Sequence, residues 1–360
     1  MGVSDFVIIG AGPAGINAAS ESARYGVKVT LIDENNLPGG QLFTQTHKFF
    51  GSREHRAGVR GFQIGYDLIE EIKKLNVDVL LNTIVYGISA DMEVKYITEG
   101  NSAKSITAGN ILISTGALEK PVVFKGWTKP GVMGAGAAQT MMNVRRVLPG
   151  RKVLMVGSGN VGLIVAYQLK QAGADVVGII EAMPSIGGYK VHASKVRRIG
   201  IPILTSYTIK EAKGSPQVSS AVIVGVDKNL REIPGTEDEI KCDLVCIAAG
   251  LKPFDELCWL LNLEFKYIDE LGGFVPVHND NLETSMENIY VAGDAAGVEE
   301  ASTAMEEGRL AGVAVAQKLG YLSDRQAEKI KGKIKNRLKY LRLGSFGRKR
   351  AEGKKKLTYK

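Results

Sequence analysis

Val7-Ile8-Ile9-Gly10-Ala11-Gly12-Pro13-Ala14-Gly15 breaks an apolar run into closely spaced glycines near the start of a 360-residue chain. The run reads as a buried strand, a tight turn and a helix start, with the G-x-G-x-x-G spacing of a dinucleotide site. Gly10 allows the turn, Gly12 lets a pyrophosphate approach the backbone, and Gly15 lets the helix pack closely on the strand. Pro13 and Ala14 open that helix at the end where free N–H groups and the helix dipole favour anions. A helix over 16–25, Gly26 and a second strand over 27–32 follow, ending in Asp33-Glu34. An acid about twenty residues past the glycines is where this arrangement places a ribose hydroxyl partner.

The pattern returns about 147 residues later as Val153-Leu154-Met155-Val156-Gly157-Ser158-Gly159-Asn160-Val161-Gly162. Its helix runs to Ala172, Gly173 breaks it, and a strand over 176–180 ends in Glu181, the second candidate for a ribose. Strand-like runs at 201–209, 218–227 and 244–249 complete this domain, and from Gly272 the chain returns to the first. Two dinucleotide folds of the α/β class, the second inserted into the first, are therefore expected: 1–118 with 272–320, and 119–271.

Between the motifs, a helix is expected over 61–75, from Ile64, Leu68, Ile72 and Leu75 on one face, and a strand over 77–85 ending at Val85. A small meander over 86–108 turns at Glu99-Gly100-Asn101 and at Ala108-Gly109-Asn110, and a helix through Met141 and Met142 ends near Leu148. Ala301 to Leu319 is a small-residue helix suited to close packing.

Composition excludes several classes. No run approaches the ~20 apolar residues of a membrane span, no basic-then-apolar leader precedes Val7, and three cysteines (242, 246, 258) indicate a reducing, cytoplasmic setting. The net charge of +8 is unevenly spread. Residues 321–360 carry 15 Lys/Arg against 3 Asp/Glu, a net of +12, which leaves −4 for the rest. This basic tail is helix-prone, with Ile330, Ile334, Leu338 and Leu341 at helical spacing, and disorder is expected beyond Gly344. It could grip anionic lipid, nucleic acid or an acidic partner, or be a plain solvated extension; its aromatics (Tyr321, Tyr340, Phe346, Tyr359) are sparse for nucleic-acid recognition.

Side-chain chemistry outside the glycine motifs is thin. Cys242 and Cys246, read on one strand, share a face roughly 13 Å apart, too far for a disulfide. In the polar-aromatic segment 44–60, with Lys48, Phe49 and Phe50, His47 is the candidate catalytic side chain. His55, Arg56 and Arg60 read as a solvated or interface patch, and His192 and His278 as surface residues. No metal-ligand spacing stands out.

The nested layout resembles the two-dinucleotide-binding flavoproteins of the glutathione/thioredoxin reductase superfamily. The carriers are Gly10–Gly15, Ser114-Thr115-Gly116-Ala117, Gly157–Gly162, Ala248–Pro253 and Ala292-Gly293-Asp294. Pro38-Gly39-Gly40-Gln41, the Ser114–Pro121 run and Gly126-Trp127-Thr128-Lys129-Pro130-Gly131-Val132-Met133 narrow it. They are similar to the FAD subunit of the sarcosine oxidase alpha, opine oxidase, proline or hydroxyproline dehydrogenase and hydrogen cyanide synthase group. The resemblance implies FAD in the first domain, with Asp294 on its ribityl chain and Gly10, Gly12, Pro13, Ala14, Gly15, Asp33, Glu34, Gly40, Gln41, Val85, Thr115, Gly116, Ala117 and Gly293 around it. It implies NAD or another adenine nucleotide at Gly157, Gly159, Asn160, Val161, Gly162 and Glu181. The expected role is electron transfer beside a second flavin dehydrogenase subunit that oxidises an amino acid, amine or hydroxy acid, with a small iron–sulfur subunit where a cluster is needed. A stand-alone NADH:acceptor oxidoreductase and a partner of a glycerol-3-phosphate-dehydrogenase-type complex are the alternatives. The thioredoxin-reductase C-x-x-C is absent from the sequence, so electrons leave a flavin directly.

Overall fold

The computed structural model describes residues 2–49, 52–100 and 102–357, except for the side chains of Ser345 and Phe346. Phe50, Asn101 and Tyr359 lie outside the described residues. The chain forms two compact units, Met1–Leu118 with Leu251–Lys360, and Glu119–Gly250.

The first unit opens with β1 (Gly2–Ile9), α1 (Pro13–Ala23), β2 (Val29–Ile32), α2 (Gly61–Lys73), β3 (Val77–Leu80), β4 (Ile84–Ile88), β5 (Glu93–Thr98) and β6 (Ser102–Ile113). Its sheet runs β3-β2-β1-β6-β5-β4, parallel as far as β6 and antiparallel beyond. Val7 to Ile9 lie beside Ile111 to Ile113, all buried. Covered on both faces, such strands read as unbroken apolar runs.

One turn and one strand expected from the sequence are different in the structure. β6 passes straight through Ala108-Gly109-Asn110, because Gly109 serves a close approach: a Cβ there would lie 3.0 Å from the Asp5 carbonyl oxygen of β1. The expected strand over 77–85 is two strands, broken where Thr83 N–H donates to the Asp33 carbonyl (3.0 Å) and Asn82 takes a φ of 49°.

After β7 (Ala117–Glu119) the second unit contains β8 (Val132–Gly134), α3 (Ala135–Asn143), β9 (Lys152–Val156), α4 (Asn160–Gln171), β10 (Asp175–Glu181), α5 (Lys190–Arg198), β11 (Ile203–Thr205), β12 (Tyr207–Lys213), β13 (Ser220–Gly225), β14 (Asp238–Lys241) and β15 (Leu244–Ile247). A parallel sheet in the order β11-β10-β9-β15-β8 sits with an antiparallel β12-β13-β14 sheet. The α3 helix ends at Asn143, short of Leu148. Cys242 falls between β14 and β15, and the strand alternation starts afresh at Leu244. It therefore packs with Val245 and Ile247, while Cys246 packs with Leu244 on the other side; the shared face expected for the pair is not there.

The chain re-enters the first unit with β16 (Leu251–Pro253), α6 (Glu256–Leu260), β17 (Phe265–Ile268), β18 (Gly273–Pro276), β19 (Ile289–Val291), α7 (Ala301–Lys318), α8 (Asp324–Leu341) and α9 (Ser345–Leu357). Re-entry at Leu251 precedes the expected Gly272, since Cys258, Leu261 and Leu263 pack with Ile9 and Ile113. β19 adds to the sheet beside β6. α7 lies on α1 at backbone distance: a Cβ on Gly308 would sit 2.0 Å from the Ala14 carbonyl oxygen, and one on Gly312 2.6 Å from that of Ala18. Over Ser345–Leu357 the chain is helical rather than disordered, because α9 buries Leu357 against Ile268, Leu271 and Val275; residues 358–360, also expected disordered, lie outside the described residues.

Candidate functional site

The carboxyl ends of β1, β6 and β19 converge on the first glycine turn. Gly10 takes a φ of 101°, and a Cβ there would lie 2.4 Å from the Ser114 carbonyl oxygen. A Cβ on Gly15 would lie 1.9 Å from the Gly10 carbonyl oxygen, so only glycine lets α1 start this close to the strand. Gly12 is different. It caps α1 with ordinary backbone angles, and a Cβ would meet nothing within 4 Å. Pro13 is at the first helical position. The first helical bond is Ile16 N–H to the Gly12 carbonyl (3.0 Å), so the Ala14 and Gly15 amides fall among the unpaired donors of the helix end. No acidic side chain lies in that first turn, and no side-chain cap neutralises it.

Asp33 is buried under this turn. Its Oδ2 accepts the Ala11 N–H (2.6 Å) and its Oδ1 accepts the Asn35 N–H and Nδ2 (2.8 Å each), while Glu34 beside it is exposed. The Gly39 N–H donates to the Ala11 carbonyl (2.7 Å), laying Gly40 against Gly12. Gln41 is exposed, and Val85 packs into the apolar layer of Ile9 and Ile32. The Ser114 hydroxyl donates to the Ile9 and Gly10 carbonyls (3.0 and 2.9 Å), and the Thr115 hydroxyl to the Phe254 carbonyl. Gly116 faces open space, and Ala117 starts β7 half-buried.

The fourth edge comes from a distant part of the chain. Gly293 lies against Ala14, where a Cβ would come within 3.0 Å of that side chain. Asp294 is half-buried, and its Oδ1 accepts the Glu299 N–H (3.1 Å). Loss of solvent pushes its carboxyl up to about 6; the Glu299 amide opposes this and the charges of Glu307 and Glu299 add to it. A carboxyl raised on folding favours the fold only below its unfolded pKa, so that benefit is lost as pH rises through about 6. Asp294→Asn is therefore expected to stabilise the cofactor-free chain by about 2 kcal/mol at pH 8 and to change little at pH 4. Urea unfolding at the two pH values checks this; an equal gain at both would remove the carboxyl's ionisation as the cause.

The second unit repeats the construction. A Cβ on Gly157 would lie 2.3 Å from the Ala248 carbonyl oxygen and one on Gly162 2.1 Å from that of Gly157, while Gly159 faces open space. Glu181 Oε2 accepts the Ser158 N–H and Oγ–H (2.9 and 2.6 Å), the counterpart of Asp33 on Ala11. Its Oε1 accepts the Met183 N–H (3.0 Å). Asn160 Oδ1 accepts the Tyr189 N–H (2.8 Å), tying the 187–189 loop to the start of α4, and Val161 is exposed there.

Three of the four histidines, His55, His192 and His278, depart from expectation. His47 is half-buried, its ring stacked on Phe49 at 6.1 Å. His55 is 4% exposed rather than solvated, its Nε2 3.3 Å from a Glu306 oxygen and its Nδ1 2.9 Å from the Ser52 hydroxyl. Arg56 pairs with Asp67 and Glu71 (2.6 Å each), and Arg60 donates to the Thr46 carbonyl. His192 and His278 are buried too, and burial drives His278 down to about 3. Sequence reasoning also missed Glu299, Glu306 and Glu307. The signal was available: three carboxylates in or beside a small-residue helix, ahead of a lysine-rich segment.

All three cysteines are buried, and desolvation raises each thiol, Cys242 to about 12. Among the described residues no group of three or more His, Cys, Asp or Glu could hold a metal ion, and no helix is long and apolar enough to cross a membrane.

Residues 4–308 match the family model described as pyridine nucleotide-disulphide oxidoreductase. An opine oxidase subunit of Agrobacterium tumefaciens (strain Ach5) is 29% identical over 95% of this chain and 71% of its own length. The alpha subunit of sarcosine oxidase from Rhizobium meliloti (strain 1021) is 29% identical over 88% of this chain, but only 31% of that longer protein is spanned. The crystal structure of L-proline dehydrogenase from P. horikoshii shares the fold, with a TM-score of 0.70, 24% identity, and coverage of 93% of this chain and 59% of that one.

Proposed function

The chain belongs to the pyridine nucleotide-disulphide oxidoreductase family, and from that premise we propose that it is an FAD-binding oxidoreductase subunit that passes electrons to NAD or another acceptor, or takes them from it, in exchange with a partner dehydrogenase subunit. The observation that carries the reading is the cradle in the first unit. The open face of Gly12 and the uncapped start of α1 suit a pyrophosphate, and Gly293, packed on Ala14 of the same helix, brings Asp294 next in the chain as a candidate for a polyol hydroxyl. Gly12, Ala14 and Gly15 would hold the pyrophosphate, Asp33 would keep the turn in shape, and Asp294 would accept a hydroxyl. When bound, the flavin supplies reversible hydride and single-electron chemistry, and the chain supplies position and field.

A dithiol relay is disfavoured because the three cysteines are separate, buried and held as thiols. In the second unit, the Glu181 carboxylate repels a 2′-phosphate, so NAD is favoured over NADP. The relatives are named as enzyme subunits, which supports a partner chain that oxidises an amino acid, amine or opine. Three unpaired thiols suit the cytoplasm.

Expression of the full chain alone and beside its neighbouring gene products tests this. The expected result is a yellow protein with a flavin spectrum that co-purifies with a second dehydrogenase chain and reduces dyes with substrate only in that complex. Rapid NADH-driven dye reduction by the isolated monomer would instead favour the stand-alone reductase. A colourless chain that FAD cannot reconstitute would sink both.

A further inference from the structure

Within the basic end of the chain many lysines and arginines are exposed, but Arg342 and Lys354 are turned inward. Glu307, 2% exposed, accepts the Gly293 N–H on Oε2 (3.0 Å), and the Glu299 N–H donates to Asp294 Oδ1 (3.1 Å). The Gly293–Asp294 turn thus hangs from the start of α7 at two points. Three carboxylates crowd there, and like charges in a poorly solvated place repel strongly.

Two cations from the end of the chain meet them. Arg342, just past α8, donates from Nε to Glu299 Oε2 (2.9 Å) and from Nη2 to both Glu299 Oε1 (2.5 Å) and Glu307 Oε1 (2.7 Å). Lys354 of α9, 8% exposed, donates to Glu307 Oε1 (2.7 Å) and to the Ala296 carbonyl (2.8 Å), within the same turn. α9 is seated by Leu357, fully buried, and by Gly353, whose missing side chain leaves room for Leu271 and Ile268. A solvated tail would spread its lysines in water; here the buried cations face the one turn that the sequence motif marks.

We propose that residues 342–357 are a latch for the cofactor-binding turn, with Arg342 and Lys354 as positioning residues that act through Glu299 and Glu307 on Gly293 and Asp294. The proposal rests on the reading that this turn receives FAD. Without the two cations, the repulsion among Asp294, Glu299 and Glu307 opens the turn, and the flavin site loses an edge while the sheet beneath keeps its apolar core. Arg342 and Lys354 are then internal devices of the cofactor site rather than part of a solvated arm.

The test uses the full chain with FAD titrated by fluorescence quenching, and amide hydrogen exchange over 293–299. Arg342→Gln with Lys354→Met is expected to weaken FAD binding by 30-fold or more and to speed exchange of those amides at least tenfold. Arg342→Lys with Lys354→Arg, which keeps both charges, is expected to restore most of the affinity. Leu357→Ala unseats α9 and with it Lys354, so it should weaken FAD binding in the same direction as the double variant and speed exchange of the same amides. Should the neutralised double variant not fold, Lys354→Met alone is measured, with at least a fivefold loss expected. Wild-type affinity and unchanged exchange in the neutralised variant, or no recovery of affinity in the pair that keeps both charges, overturns the latch and leaves the flavin reading standing. A wild-type chain that does not bind FAD overturns both.

Discussion

Gly12→Val is expected to give a folded chain that no longer retains FAD. Gly12 has ordinary backbone angles and faces open space, so a side chain costs the fold little. That open space is where a pyrophosphate would meet the α1 amides, and a branched side chain fills it. The affinity should fall by about 100-fold or more, which corresponds to about 2.7 kcal/mol. Equilibrium dialysis gives the affinity and urea unfolding of the cofactor-free chain gives the stability. Gly15→Val is the contrast: its Cβ would lie 1.9 Å from the Gly10 carbonyl oxygen, so it should fail in stability first. If Gly12→Val keeps its flavin, the pyrophosphate lies elsewhere and the proposed site is wrong.

The second large effect concerns the interior ion cluster of α7. Glu306 is fully buried, and its carboxylate is met by His55, Arg309 and the Nε and Nη2 of Arg337 (2.9 Å each). Burial pushes this carboxyl up, but the His55 hydrogen bond and the charges of Arg309 and Arg337 outweigh it and hold the group below the usual carboxylate range. A carboxyl lowered on folding adds stability above its unfolded pKa of about 4.3 and loses it as pH falls through the folded value. Arg337→Met keeps the apolar stem and removes the charge. It is expected to cost about 3 kcal/mol at pH 7, because it leaves a buried charge short of partners. The deficit should shrink below about pH 4 as Glu306 becomes protonated. Urea unfolding of both proteins at pH 7 and 3.5 decides the matter. A deficit of the same size at both would mean that Arg337 acts through packing alone.

The glycine motifs were legible in the sequence because their roles are local. Gly10, Gly12 and Gly15 are set by a strand, a turn and a helix start that follow one another directly, and the structure gives Gly157, Gly159 and Gly162 the same three geometries. The small-residue spacing of 301–319 likewise announced a close helix contact, and Gly308 on Ala14 supplies it. Turns read from glycine alone were less secure. At Gly109 a glycine admits a neighbouring backbone, and the same composition that suggests a turn serves a straight strand.

Histidines and charged residues were the least legible, since their environment is set by segments distant in the chain. Nothing near His55 in sequence announces Glu306, and no periodicity pairs Arg342 and Lys354 with Glu299 and Glu307. A lysine-rich end reads as solvated because most such ends are. Whether a cation is solvated or buried depends on which carboxylates the fold brings to it.

By itself, then, the sequence determined the α/β class, the nesting of one dinucleotide fold in another, and the two glycine turns at the starts of α1 and α4. Those follow from apolar runs and from the spacing of glycines, of which Gly10, Gly15, Gly157 and Gly162 admit no side chain. Only the tertiary structure decided where the interruption ends, at Gly250. It also turned Arg342 and Lys354, from the basic end of the chain, inward onto the carboxylates beside the Asp294 turn. The physical reason is one of range: backbone sterics act over a few residues and leave a mark in the sequence, whereas the partners of buried charges are chosen by packing over the whole chain.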